Sequence, residues 1–323
     1  MAPAVFSPRF IALVALSNVA AVLAGTYQRA DLFVGANFYD SFDFQAIPDP
    51  THGRVNYVDQ ATAQAQNLTF AGPNKFVLRA DHTTVISDAS PVGRNSVRIQ
   101  SKKKYSTHAA VFDIAHMPEG CGTWPAIWET DTVVWPHGGE LDIIEGVNGV
   151  GSNQMTLHTD PGCTMPQNRA QTGTSLQLNC DANVNGNAGC GVSAGQPLSY
   201  GPAFNANGGG WYAIERSPNG INVWFWARSD PTVPQEVRVG GVGINTQGWG
   251  TPTASFPNTQ CNIGQFFDAH NIIINLTLCG DWAGQPQIYA SAGCPSSCMS
   301  FVDANPAAFA NAYFEINSIN VYT

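Results

Sequence analysis

Three carboxylates crowd the stretch Gly138–Gly149, GGELDIIEGVNG: Glu140, Asp142 and Glu145. Leu141, Ile143 and Ile144 separate them, so residues 140–145 read as a β-strand. Successive side chains on a strand alternate faces. Glu140 and Asp142 therefore share one face, while Glu145, an odd number of positions on, would turn into the core. An unpaired carboxylate there costs several kcal/mol. One β-bulge takes up a residue and resets the alternation. With Ile144 as the extra residue, Leu141 and Ile143 face the core and all three acids share the open side.

Three acids on one face repel one another, so at least one holds a proton at mildly acidic pH. A protonated and an ionised carboxyl side by side are what glycoside hydrolysis uses, one to protonate the leaving oxygen and one to attack or to activate water. Acids on one short strand favour the close pair of retaining enzymes, ~5–5.5 Å apart, over the wider inverting pair. Two other readings of the hexapeptide stay open. A calcium site wants six to eight oxygens, usually from a loop of Asn, Asp and Gly. A solvated polar strand face needs no ligand at all.

The elements that must position these acids are strands. No long amphipathic helical pattern is present. The periodic segments are short and rich in β-branched and aromatic residues: SVRIQS, HAAVFDIA, ELDIIE, QMTLHT, WYAIERS, INVWFWA, NIIINLTL and YFEINSINVYT. WYAIERSPNGINVWFWA is a hairpin turning through Ser217-Pro218-Asn219-Gly220. With 32 Gly and 21 Pro as punctuation, the class is all-β, and strands along the whole length favour one large sandwich over residues 26–323. Residues 161–210 and 245–268 interrupt the strands with Gly-, Asn- and Gln-rich sequence that carries cysteines. Such long loops are functional or disordered, and cross-linking argues for ordered walls built on the scaffold.

The bulk composition narrows the partners. Only 11% of residues are charged and the net charge is −9, a poor match to nucleic acid, which needs a basic face. A neutral polar polymer fits better. Arg9 precedes an apolar run from Phe10 to Ala24 with small residues at its end. The run is shorter than the ~20 residues of a membrane span and reads as a secretory signal peptide over residues 1–25. The expected localisation is therefore extracellular, with no membrane partner and a monomeric state. Eight cysteines after such a leader read as disulfides. If all pair, at least one of Cys163, Cys180 and Cys190 reaches outside its own loop. Cys294 and Cys298 lack a companion Cys or His motif for zinc, so no metal is expected. Asn67-Leu-Thr and Asn275-Leu-Thr are N-glycosylation sequons, although Asn275 sits in an apolar run.

GELDIIEGV resembles the E-x-D-x-x-E signature of glycoside hydrolase family 16 in the bulged form of its endo-β-1,3-glucanases (laminarinases) and endo-1,3(4)-β-glucanases. GCGTWPAIWETD, MTLHT, WYAIERSPNGINVWFW and NLTLCGDWAG extend the likeness over nearly all of the chain after the leader. The resemblance implies a β-jelly-roll sandwich of two curved antiparallel sheets with a substrate cleft on the concave face, a β-glucan polysaccharide substrate, retention of configuration and no cofactor. Carried over by position, Glu140 resembles the nucleophile, Asp142 the assisting acid and Glu145 the general acid/base. Trp128, Trp135, His158, Arg98 and Trp282 are the expected substrate-binding residues. Trp211 is assigned to the core, and Trp124, Trp224 and Trp226 to packing or outer subsites. A wall-glucan transglycosylase would use the same acids, whereas a β-glucan-binding lectin on this fold would have no use for three clustered carboxylates.

Overall fold

The computed structural model describes residues 25–87 and 89–323; apart from Gly25, the expected leader lies outside the described residues. Each of the eight sequence segments read as strands contains one. Strand-rich sequence without long helical periodicity folds here into two large antiparallel sheets. One has nine strands, ordered Gly243–Asn245, Thr26–Phe33, Tyr313–Tyr322, His108–His116, Gly210–Ser217, Gly220–Ala227 and Ala254–Pro257; Lys75–Arg79 also pairs with Tyr313–Tyr322 and carries Thr69–Gly72. The other has eight, ordered Thr174–Ser175, Val192–Ser193, Gln154–His158, Glu140–Glu145, Thr123–Thr130, His270–Leu278, Arg98–Tyr105 and Phe42–Phe44. The expected hairpin closes with Ser217 opposite Gly220.

Alternation sorts each strand between core and surface. Ile99, Ile127, Leu141, Leu157, Ile272 and Ile274 of the eight-stranded sheet meet Phe112, Ile114, Tyr212, Ile214, Phe225 and Ile319 of the nine-stranded sheet in one buried cluster. Trp211 is buried, as expected, but not between the sheets. With Trp224, Trp226 and Trp249 it forms a second apolar cluster beside Val111 and Ala213, covered by Val233 and Val237. A third cluster, including Leu278, Tyr289, Val302 and Phe309, buries the helical segments near the C-terminal end. Among the described residues no helix is long and apolar enough to cross a membrane.

All eight cysteines pair: Cys121–Cys294, Cys163–Cys261, Cys180–Cys190 and Cys279–Cys298. Cys163 is the one that leaves its loop. The two long loops differ in their work. Residues 161–210 extend the eight-stranded sheet by two short strands and send Leu176, Gln177 and Asn185–Ala188 to the cleft. Residues 245–268 contribute no cleft residue, contrary to the expectation of a second wall. They buttress the first loop from outside, through Thr172 N–H to Pro252 O, Gly173 N–H to Thr253 O and the Cys163–Cys261 bridge.

Candidate active site

The bulge is present. Along strand Gln154–His158, Asp142 lies opposite Thr156 and Glu145 opposite Gln154, so two residues, Ile143 and Ile144, face one, Met155. On the other side Asp142 pairs with Trp128, Ile144 with Ile127 and Glu145 with Ala126. The unpaired residue on that side is thus Ile143, not Ile144 as the sequence reading had it. The consequence is the expected one: Leu141, Ile143 and Ile144 are fully buried, and Glu140, Asp142 and Glu145 line one cleft.

That cleft, about 1140 Å³, runs over the outer face of the eight-stranded sheet. Alternate residues of Thr123–Thr130 (Trp124, Ala126, Trp128 and Thr130) form its floor beside the acids. Trp135, 43% exposed, donates from Nε1 to Glu140 Oε2 at 2.5 Å. Its loop is pinned behind the site. Thr130 Oγ1 donates to Gly139 O at 2.7 Å and His270 Nε2 to Gly138 O at 2.5 Å. Burial and the nearby Arg216 push the His270 imidazole down to about 3, so it stays neutral. Gly139 holds φ +77°, where a Cβ would come within 2.6 Å of Phe266 O.

Trp124, assigned to packing or an outer subsite, lies beside the acids: its Nε1 donates to Glu145 Oε1 at 2.9 Å. Its spacing of four from Trp128 on one strand was the available signal, since it sets both rings on one face. Trp282 meets Trp124 edge to face at 5.7 Å and lines the same cleft. Trp128 donates to Asn275 Oδ1 at 2.7 Å, and the Arg98 guanidinium lies 5.0 Å over its ring. Arg98 is buried and bonds Gln45 Oε1 at 2.6 Å, so it braces the cleft wall rather than pairing with an acid. Asn275 is only 6% exposed and also donates to Tyr57 OH. Its amide is engaged on both sides at the cleft lining, so a glycan on this sequon would break both bonds. Asn67 is exposed at a helix end.

His158 joins the acids as the register requires, opposite Glu140. Its Nε2 lies 3.4 Å from Asp142 Oδ2, an ion-pair contact rather than a well-aligned hydrogen bond. Its Nδ1 meets Asn187 Oδ1 at 2.8 Å. Asn187 comes from the disulfide-held wall in a left-handed conformation, φ +60°, which Asn tolerates better than most residues. Nothing local in the sequence ties it to His158. Burial alone would lower His158, but contact with Asp142 and the field of Glu140 and Glu145 push it up to about 10.

All three acids are raised by burial. Burial, then Asp142, pushes Glu145 up to about 8. Burial, then Glu140, pushes Asp142 up to about 7. Burial also raises Glu140, against the pull of His158 and the hydrogen bonds from Trp135 and Asp142. At mildly acidic pH this set holds protons on Glu145 and Asp142, while the His158 cation and the hydrogen bonds from Trp135 and Asp142 favour the charged form of Glu140. Glu140, Asp142 and His158 also bring one donor atom each within 4.8 Å of one another. A cation there would need His158 neutral, whereas its surroundings favour the imidazolium.

A family model described as the XgeA-like, catalytic GH16 domain matches residues 42–322. The chain belongs to glycoside hydrolase family 16. Laminarinase 16A from Phanerochaete chrysosporium, solved with 6-O-glucosyl-laminaritriose in donor and acceptor sites, is 60% identical; the match covers 92% of this chain and 100% of that one, with TM-score 0.91. An elongating family 16 β-1,3-glucosyltransferase is 38% identical over 92% of this chain and 100% of its own, with TM-score 0.84. An endo-1,3(4)-β-glucanase of Arthroderma benhamiae is 40% identical over 97% of this chain and 68% of its own length. In this family 16 chain the bulged E-x-D-x-x-E strand and the aromatic floor share one cleft.

Proposed function

We propose that this family 16 chain is a secreted, retaining endo-β-glucanase that cuts β-1,3-glucan and mixed β-1,3/1,4-glucan. The observation that carries the reading is the bulge, which puts three acids, each raised by burial, on one face of an aromatic-floored cleft. Glu140 attacks the anomeric carbon. As the bond to the leaving oxygen breaks, Glu145 gives that oxygen its proton, leaving a covalent glycosyl ester on Glu140. Water then attacks the anomeric carbon and displaces the Glu140 carboxylate, while Glu145 takes the proton from that water. Asp142, protonated beside Glu140, donates to it and keeps it ionised and aimed. His158 balances the charge. Trp128, Trp135 and Trp282 offer ring faces to the C–H faces of glucose, and Trp124 holds Glu145. Four disulfides and an exposed sequon at Asn67 suit an extracellular glycoprotein.

Azide tests the roles because it replaces a missing carboxylate and needs no proton. In Glu140→Ala it should attack an activated β-glucoside directly and give the α-glycosyl azide. In Glu145→Ala it should intercept the covalent intermediate and give the β-glycosyl azide. Exchanged anomers mean exchanged roles, and wild-type laminarin cleavage by both variants would remove these acids from the mechanism. The likeness to an elongating glucosyltransferase supports a second reading, in which another sugar replaces water in the second step. Products longer than the starting laminari-oligosaccharide would mark it.

A further inference from the structure

The bulge that aims Glu145 strands two backbone groups, because the extra residue breaks the regular ladder. Both find the same partner. Asn153 Oδ1 accepts from the Glu145 N–H at 2.9 Å, and Asn153 Nδ2 donates to Ile143 O at 2.8 Å. One side-chain amide thus spans the bulge, with one bond on each of its polar atoms. Asn153 is itself immobilised: it is fully buried, its N–H donates to Ser199 Oγ at 3.0 Å, and its carbonyl accepts from Ala194 N–H. The Ser199 carbonyl in turn accepts from the Tyr212 hydroxyl on the opposite sheet. An amide offers an acceptor and a donor side by side, which is what a stranded N–H and C=O together require.

We propose that Asn153 is a positioning residue that locks the backbone of Glu145, so that its carboxyl meets the leaving oxygen. The proposal rests on the reading of Glu145 as acid/base. Misaim of about 1 Å costs roughly 100-fold in rate. The loss falls on substrates whose leaving group needs a proton, whereas a dinitrophenyl glycoside leaves without one. Asn153→Ala should lower kcat/KM on laminarin ten- to a hundredfold by these geometric costs, and leave it within a few-fold on the dinitrophenyl β-laminaribioside. Asn153→Asp keeps the shape. Ionised, it can still accept from Glu145 N–H but cannot donate to Ile143 O. Protonated, it presents acceptor and donor again. Its laminarin defect should shrink as pH falls, while its activity on the dinitrophenyl substrate, the internal reference, follows the wild-type profile.

Glu145→Ala is the control for the underlying reading. If it shows no laminarin-selective loss, the acid/base assignment fails and the clamp falls with it. If Glu145→Ala is selective but both Asn153 variants lose the two substrates equally, or lose neither, the clamp alone is overturned. Should Asn153→Ala not accumulate as folded protein, the pH dependence of the substrate ratio in the isosteric Asn153→Asp decides by itself.

Discussion

Glu145 and His158 both respond to their crowding by holding a proton, which leaves Glu145 neutral and His158 charged, and two measurements follow. His158 lowers the Glu140 carboxyl. Removing that cation in His158→Asn should raise the Glu140 carboxyl and move the acid limb of the kcat/KM–pH profile to higher pH, with a lower peak; an unmoved acid limb would mean that His158 does not face the ionising group. Glu145 bears on stability. Its folded carboxyl sits at about 8 against an ordinary 4.5, so the folded state favours the proton. The stability it contributes is complete below pH 4.5 and is lost as pH rises through about 8. Glu145→Gln keeps an acceptor for Trp124 Nε1 and never ionises. Its melting temperature should match the wild type near pH 4 and exceed it increasingly toward pH 8, by on the order of 2 °C for each kcal/mol recovered. An advantage that is constant with pH would show that the carboxyl is not the strained group. An acid site less stable than its amide is the usual trade of stability for activity.

The carboxylate strand tests whether a bulge is a detachable unit. Both neighbouring strands count one residue, Ile127 or Met155, between the partners of Asp142 and Glu145, whereas this strand counts two. Deleting Ile143 should therefore close the bulge without shifting either register, and the last Glu would still face the cleft. The missing buried side chain costs about 2–5 kcal/mol. The deletion should melt lower yet cleave laminarin well above Glu145→Ala; activity at the Glu145→Ala level in a folded deletion would show that the bulge itself is needed for aim. The bulge was legible because the odd spacing of Glu145 conflicts with two-residue alternation. Which isoleucine goes unpaired was not, since both are apolar and either satisfies the pattern. Nor was Asn153, whose bonds run from side chain to backbone across the turn between two strands and leave no mark on periodicity. Trp124 was legible by its face but outweighed by the ordinary burial of tryptophan.

At the scale of the molecule, strand chemistry announced the two sheets, while the partners of the long loops depend on distances the sequence does not encode. One of Cys163, Cys180 and Cys190 had to look outside the loop only if every cysteine paired, and nothing local said that it is Cys163, whose partner Cys261 lies 98 residues away. Cys180–Cys190, in contrast, closes only 10 residues and encloses the Asn185–Ala188 wall. These two bridges should separate stability from catalysis. Closing the longer loop restricts the unfolded chain more, by ~2 kcal/mol from loop length alone. The paired Cys163→Ser/Cys261→Ser variant should therefore melt lower than Cys180→Ser/Cys190→Ser. The short bridge holds Asn187 against His158 at 2.8 Å, so its loss frees a wall that touches the acid cluster. Cys180→Ser/Cys190→Ser should show the larger fall in laminarin kcat/KM at a temperature where both variants remain folded. Melting curves and initial rates on the same preparations check both halves. If the variant that melts lower is also the one that loses more activity, the loops act through global stability and not through the wall they build.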